Sequence, residues 1–306
     1  MSFQALPWEI VLIVASHLTE EPRHLAALIL TNRSLATFLT PTLHSIAVKP
    51  YLGTPALVWA SSRGHDPLVR LVLASGADVN AVTPTGETAL LCAIHTQRPT
   101  TARILLESGA DANLGGALGL AVRGRNVGIT RCLLRHGACV NTIDAGTSPL
   151  HRAVFRSRSA PVARVLLEHG ANTEALDANG NTALHIAVTT GERMTKKGFV
   201  ALLLEWGANP DACNRAGETA LFAAMDNVCV MHSLIRGGAD LNVYNRDGRT
   251  PLYVAVTLGR AASVEMLLMG GADVDIPALD GIVPLQLARD HNLKTIIRLF
   301  KKYGKA

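Results

Sequence analysis

Aromatic side chains make up only 4% of the 306 residues and charged ones only 17%. So few aromatics leave little for the stacking platforms that hold single-stranded nucleic acid. The 29 basic residues outnumber the 24 acidic ones by five, but they are spread out, with no basic run longer than Lys301-Lys302. Binding to nucleic acid is therefore not expected. Cysteine is scarce too. Cys92, Cys132, Cys139, Cys213 and Cys229 form an odd set with no C-x-x-C pair, which speaks for a reducing compartment, cytoplasm or nucleus, and against a disulfide framework. The apolar run Ile10 to Ala15 is short, has Glu9 at its mouth and lacks a basic leader, so neither a secretory signal nor a membrane span is expected. The chain has no G-x-S-x-G, no phosphate-binding glycine loop and no H-E-x-x-H. We expect no enzyme and no cofactor.

What the chain has in quantity is repetition. Residues Ala163 to Ala187, ARVLLEHGANTEALDANGNTALHIA, read as an apolar helix end, a Gly170-Ala171 turn, a polar connector tipped by Asn179-Gly180, and a second helix opened by Thr182. Variants of this stretch recur. The glycines Gly76, Gly109, Gly137, Gly170, Gly207, Gly238 and Gly271 are each followed by Ala, and a last turn falls at Gly304. The steps between them are 33, 28, 33, 37, 31, 33 and 33 residues. Three and four residues before these glycines stand apolar pairs: Val72-Leu73, Leu105-Leu106, Leu133-Leu134, Leu166-Leu167, Leu203-Leu204, Leu234-Ile235 and Leu267-Leu268. A short helix can bury such a pair only against its neighbours. The last pair is Phe300-Lys301, and a charge entering the seam there suits a solvent-facing end unit.

The helix starts Ser148-Pro149-Leu150-His151-Arg152-Ala153, Thr182-Ala183-Leu184-His185-Ile186-Ala187 and Thr250-Pro251-Leu252-Tyr253-Val254-Ala255, at a period near 33, resemble the ankyrin repeat. The resemblance runs from about Thr54 to Gly304. It implies an all-α solenoid of about eight helix-turn-helix units, and we assign it residues 49–306. Within it the distance from turn glycine to the next leading Leu is 13 or 14, except 9 from Gly109 to Leu118, so one finger is expected to be cut short. From Leu184 to Gly207 the helical part is lengthened, and Gly191 to Gly198 reads as an inserted basic loop on the side away from the fingers. The stretch with Pro50 and Gly53-Thr54 reads as a short stiff connector.

Residues 1–48 lie outside the repeat and read as three helices too small to cover their own apolar surface. Leu6, Pro7, Glu9, Ile10, Val14 and Leu18, then Leu25, Leu28, Leu30, Asn32-Arg33 and Leu35, resemble an F-box, although Leu35 and Thr31 depart from the usual residues there. The resemblance implies a protein-binding adaptor of a fungal type. In it Leu6, Pro7, Ile10, Val14, Leu18, Leu25 and Leu28 bind a Skp-type subunit of a cullin ubiquitin ligase, and the ankyrin array holds the protein to be ubiquitinated. The alternative is a general ankyrin interaction scaffold whose first helices only cap the array; on its own the chain is expected to be a monomer.

Three groups invite a chemical reading. His151 and His185 occupy the histidine position of the ankyrin motif, where the resemblance implies a packed, locally hydrogen-bonded ring; Phe222 and Tyr253 stand at the same position, which excludes a shared catalytic role. Cys132, His136 and Cys139 have metal-like spacing, but alignment of the repeats places Cys132 inward and His136 outward, so no metal site is expected. Finger tips are not dictated by the core. Arg215, Arg246 and Arg249, with Tyr244 and Tyr253, are the candidate target-binding patch, unless Asp247 and Glu218 pair with the arginines.

Overall fold

In a computed structural model of the chain, residues 50–155, 160–190 and 193–303 are described, with side chains from residue 56 onward except 193–195. The F-box-like positions Leu6 to Leu28 lie outside the described residues. The chain divides into two compact units, Met1–Cys139 and Val140–Ala306, and each is taken by itself. Among the described residues there are sixteen α-helices, and none is long and apolar enough to cross a membrane.

The first unit contains three helix pairs: α1 (Pro50–Arg63) with α2 (Asp66–Ala74), α3 (Ala89–His95) with α4 (Pro99–Glu107), and α5 (Ala117–Arg123) with α6 (Val127–Arg135). The first helices of successive pairs pack on one another, α1 on α3 and α3 on α5, and so do the second helices. This makes two layers. The second unit repeats the plan with five pairs: α7 (Pro149–Phe155) and α8 (Ala160–Glu168), α9 (Ala183–Thr189) and α10 (Arg193–Glu205), α11 (Ala220–Ala223) and α12 (Val228–Arg236), α13 (Pro251–Thr257) and α14 (Ala261–Met269), α15 (Pro284–Asp290) and α16 (Lys294–Tyr303). Helices of seven to nine residues are marginal alone in water. They persist here because Val72, Leu105, Leu133, Leu166, Leu203, Leu234 and Leu267, the first members of the seven pairs before the Gly-Ala turns, are fully buried between layers. The second member is buried less consistently, since Leu73, Leu204 and Ile235 keep partial exposure. In the last pair Phe300 is buried and Lys301 exposed.

The Gly-Ala pairs end the second helices by one device. Gly170 has φ +80°, its N–H donates to the Leu167 carbonyl at 3.0 Å, and the Ala171 N–H donates to the Leu166 carbonyl at 3.0 Å. These are the paired bonds of a left-handed helix stop, which glycine adopts without steric penalty. The following Ala is buried in all of them but the first, where Ala77 is half-buried, so that only a small side chain fits.

Two local expectations need correction. The stretch read as a connector is helical from Pro50, because α1 has 14 residues where later first helices have seven or fewer; Pro50 suits a first helical position. The segment read as an inserted loop is mostly helix, since α10 begins at Arg193 and has 13 residues against nine or ten in its counterparts. About four extra residues add about one turn, which costs less than opening a loop. The Thr residues that open first helices differ in what their hydroxyls bond. Thr88 accepts from the Leu91 N–H and Thr250 from the Tyr253 N–H, but the buried Thr219 hydroxyl has no partner. The shortened finger is as expected. Leu114–Gly116 form a single 3-10 turn with Gly115 and Gly116 at positive φ, and α5 starts immediately afterwards.

Candidate protein-binding face

Each finger hangs from its neighbour by a side chain four residues after the turn glycine. Asn80 donates to the Gly109 carbonyl (3.2 Å) and accepts from the Asp111 N–H (2.8 Å); Asn113 does the same with Gly137 and Cys139. In the second unit Asn141 bridges to Gly170 and Asn172, and Glu174, Asp211 and Asn242 accept from the N–H groups of Asn209, Asp240 and Asp273. Sequence reasoning missed these residues, though Asn recurring at one place in the period was a readable signal.

The finger bases are also tied to the helices. His151 lies with Nδ1 2.7 Å from the Ser148 hydroxyl and Nε2 3.0 Å from the Asn181 carbonyl. His185 places Nε2 3.0 Å from the Glu218 carbonyl and accepts the Thr182 N–H on Nδ1 at 3.2 Å. A carbonyl can only accept, so Nε2 carries the proton and Nδ1 its lone pair. Burial lowers the His185 pKa, against the opposing pull of the Glu218 carbonyl. These rings are structural pins, as the motif implies. Phe222 fills the same place without a polar atom, which is why Thr219 lacks the partner that Thr182 has.

The expected tip patch is only partly assembled. Arg215, Arg246 and Arg249 are exposed, and Tyr244 is 51% exposed with its hydroxyl donating to the Pro277 carbonyl at 3.3 Å. Tyr253 must be removed from the patch. It is 5% exposed, at the histidine position, and its hydroxyl donates to Asp280 at 3.3 Å. Arg249 lies 5.8 Å from the Tyr253 ring centroid and 4.0 Å from Asp247, so of the three tip arginines it is the one with side-chain partners among the described residues. Arg215 and Arg246 have no ion-pair partner among the described residues.

A second feature of the fingers was not anticipated. Six residues after the turn glycines stand Val82 in the first unit, and Ile143, Leu176, Cys213, Tyr244 and Pro277 in the second. All are exposed, Ile143 by 59% and Leu176 by 53%. The metal-like trio reads differently from expectation in one respect. Cys132 is half-exposed, and His136 turns back so that Nδ1 is 2.9 Å from the Cys132 carbonyl and 3.9 Å from its Sγ. The two side chains are neighbours because a histidine at a helix end can satisfy a last-turn carbonyl. No group of three or more His, Cys, Asp or Glu is placed to hold a metal among the described residues.

A family model described as ankyrin repeats (3 copies) matches residues 24–116, 118–211 and 192–278. The chain belongs to the ankyrin repeat family. This ankyrin protein is similar to a putative ankyrin repeat-containing protein of Treponema pallidum (strain Nichols), 37% identical over 100 residues, which are 31% of this chain and 34% of the relative. The chain thus spans about a third of that relative's length. It is also similar to a crystal structure of an ankyrin repeat domain from Acinetobacter baumannii AYE, with a TM-score of 0.56 and 28% identity over 61% of this chain and 97% of that one. Ankyrin arrays are protein-interaction scaffolds, and nothing in the described residues of this one indicates catalysis.

Proposed function

We propose that this ankyrin protein is a binding scaffold that holds a protein partner along the fingers of its second unit. The observation that carries the reading is the exposed row Ile143, Leu176, Cys213 and Tyr244, one side chain per finger at a position whose identity packing does not dictate. Arg215 and Arg246 lie on the same fingers with no ion-pair partner among the described residues, and Arg and Tyr are common interface anchors. A photo-reactive amino acid placed at Leu176 or Tyr244 in the full chain is expected to give discrete cross-linked protein species in cells. The same group at exposed Arg164 on α8 is expected to give fewer. Equal yields would dismiss the finger face.

The narrower reading, a ubiquitin-ligase adaptor, rests on the F-box resemblance of Leu6, Pro7, Ile10, Val14, Leu18, Leu25 and Leu28. The ankyrin match begins at residue 24, so it also claims Leu25 and Leu28, which favours the broader scaffold. Copurification separates them. An adaptor with Leu6→Asp and Ile10→Asp loses a Skp-type subunit while its array melts unchanged. A scaffold whose first helices are a cap never binds that subunit, and the same change lowers its melting temperature.

A further inference from the structure

We propose that the edge of the first unit formed by its three helix-to-helix turns is a docking site for a short acidic segment of a partner protein. This edge lies at the opposite end of the helices from the fingers, so the proposal goes beyond the scaffold reading and does not depend on it. Between residues 50 and 139 the chain has eight arginines and no lysine. Folding gathers four of them at the turns. Arg63 and Arg123 end α1 and α5, Arg98 immediately precedes α4, Arg125 stands in the turn before α6, and all four are exposed.

The three turns touch one another. The Arg98 stem lies over the first turn, so close that a Cβ on Gly64 would sit 2.9 Å from its Cδ. In the third turn Gly124 lies under the Gln97 side chain, and Asn126 Nδ2 donates to Gln97 Oε1 at 2.8 Å. Arg125 holds φ +56° at the place that Gly64 fills with φ +73°, so a charged side chain stands where glycine would be the less strained choice. None of the four arginines makes an ion pair among the described residues. Asp66, in the first turn of α2, accepts from the Thr101 hydroxyl and keeps its charge, which sets one negative charge against four positive ones. His65 and His95 add positive charge here when protonated. The other carboxylates of this stretch are elsewhere: Glu107 ends α4 at the finger end, and Asp78, Glu87 and Asp111 stand on the fingers themselves.

Arginine's planar fork pairs with flat anionic groups, carboxylate and phosphate alike. A bilayer or a nucleic acid would offer the phosphate, but the edge lacks what each uses besides charge. Val82 and Leu114, the exposed large apolar side chains of this unit among the described residues, are on fingers, so the edge has no wedge to enter a bilayer. Trp59 is the one Phe, Trp or Tyr between residues 52 and 139, and its ring is stacked on His65 with centroids 5.4 Å apart, which leaves no platform for bases. Packed helices stand about 8–10 Å apart, so three turns extend over only about 20 Å. One short segment with a few carboxylates matches that length and complements that charge.

The test uses the full chain and a labelled peptide, (Glu-Glu-Gly)4, read by fluorescence anisotropy. The acidic peptide should bind while (Gln-Gln-Gly)4 and (Lys-Lys-Gly)4 do not, and added salt should weaken it. R98E with R125E should lower its affinity about tenfold or more, whereas R215E with R246E, an equal change of net charge on the second unit's fingers, should leave it within about twofold. Because Arg98 packs over Gly64, R63E with R123E supplies a second pair, expected to lose as much at an unchanged melting temperature. Equal losses from the finger pair and the turn pairs would overturn the proposal, since overall charge would then account for the binding. Tighter binding of a labelled DNA duplex, or cosedimentation with phosphatidylserine vesicles, lost in the same turn variants, would assign the edge to phosphate and overturn it too. Cross-links through Leu176 that persist in the turn variants, alongside the lost peptide binding, would show that the edge and the fingers hold different partners, as proposed.

Discussion

His185 illustrates what one residue contributes to this array. Its ring joins the start of α9 to the next finger through two nitrogens with opposite roles, and a second proton would set two donors, Nδ1–H and the Thr182 N–H, against each other. Burial, the leading cause, depresses its pKa below the ordinary 6.5. The sign follows. Above about pH 6.5 neither state binds the proton and the stabilisation is complete; as pH falls, the unfolded chain is protonated first and stability declines until the native ring titrates as well. The melting temperature should therefore fall between pH 7.5 and pH 5.5, and fall less in His185→Gln. Equal drops would remove His185 from the acid response. Cys92 follows the same logic in the other direction. Burial, with Glu87 close by, raises its thiol to about 11, so it should resist alkylation at pH 8 under conditions that label exposed Cys139, Cys213 and Cys229.

At the scale of one element, the finger is a loop with almost no core of its own, fastened by polar bonds to its neighbour. Asn141 makes two of them, at 3.2 and 2.8 Å, to backbone groups near the surface. Removing both in Asn141→Ala should cost about 1 kcal/mol, because water can replace part of what is lost. Asn141→Asp keeps the acceptor and should lose roughly half as much. A lower urea midpoint with an unchanged slope is the expected signature, and a midpoint equal to that of the parent chain would mean that the ladder adds nothing. Elements also show where the chain tolerates change. The extra residues ahead of Phe199 lengthen α10, and missing residues shorten α11 to Ala220–Ala223, while the buried faces of both pairs keep register.

For the whole molecule, each pair buries its apolar face only against the pairs beside it, so the repeat count and the exposed row are linked. The finger face is what remains after every core position has been assigned. Its chemistry is free to match a partner, which is why the mixture of apolar and basic groups carries the functional reading. The tests by cross-linking and by the Skp-type subunit each act at this scale, since each asks what the assembled fingers or the segment before them hold.

The amino-acid order alone determined the period, the turn glycines, the apolar pairs and the shortened finger, because each depends on neighbours within one or two turns of chain. It also determined the motif histidines as packed pins, since their partners recur in the pattern. Only the tertiary structure decided that Tyr253 is buried while Tyr244 is exposed, that the Asn residues bridge fingers, and that Arg249 has an ion-pair partner among the described residues whereas Arg215 and Arg246 do not. Those outcomes depend on which groups stacking brings within hydrogen-bond reach across about thirty residues of chain, a distance that no local pattern encodes.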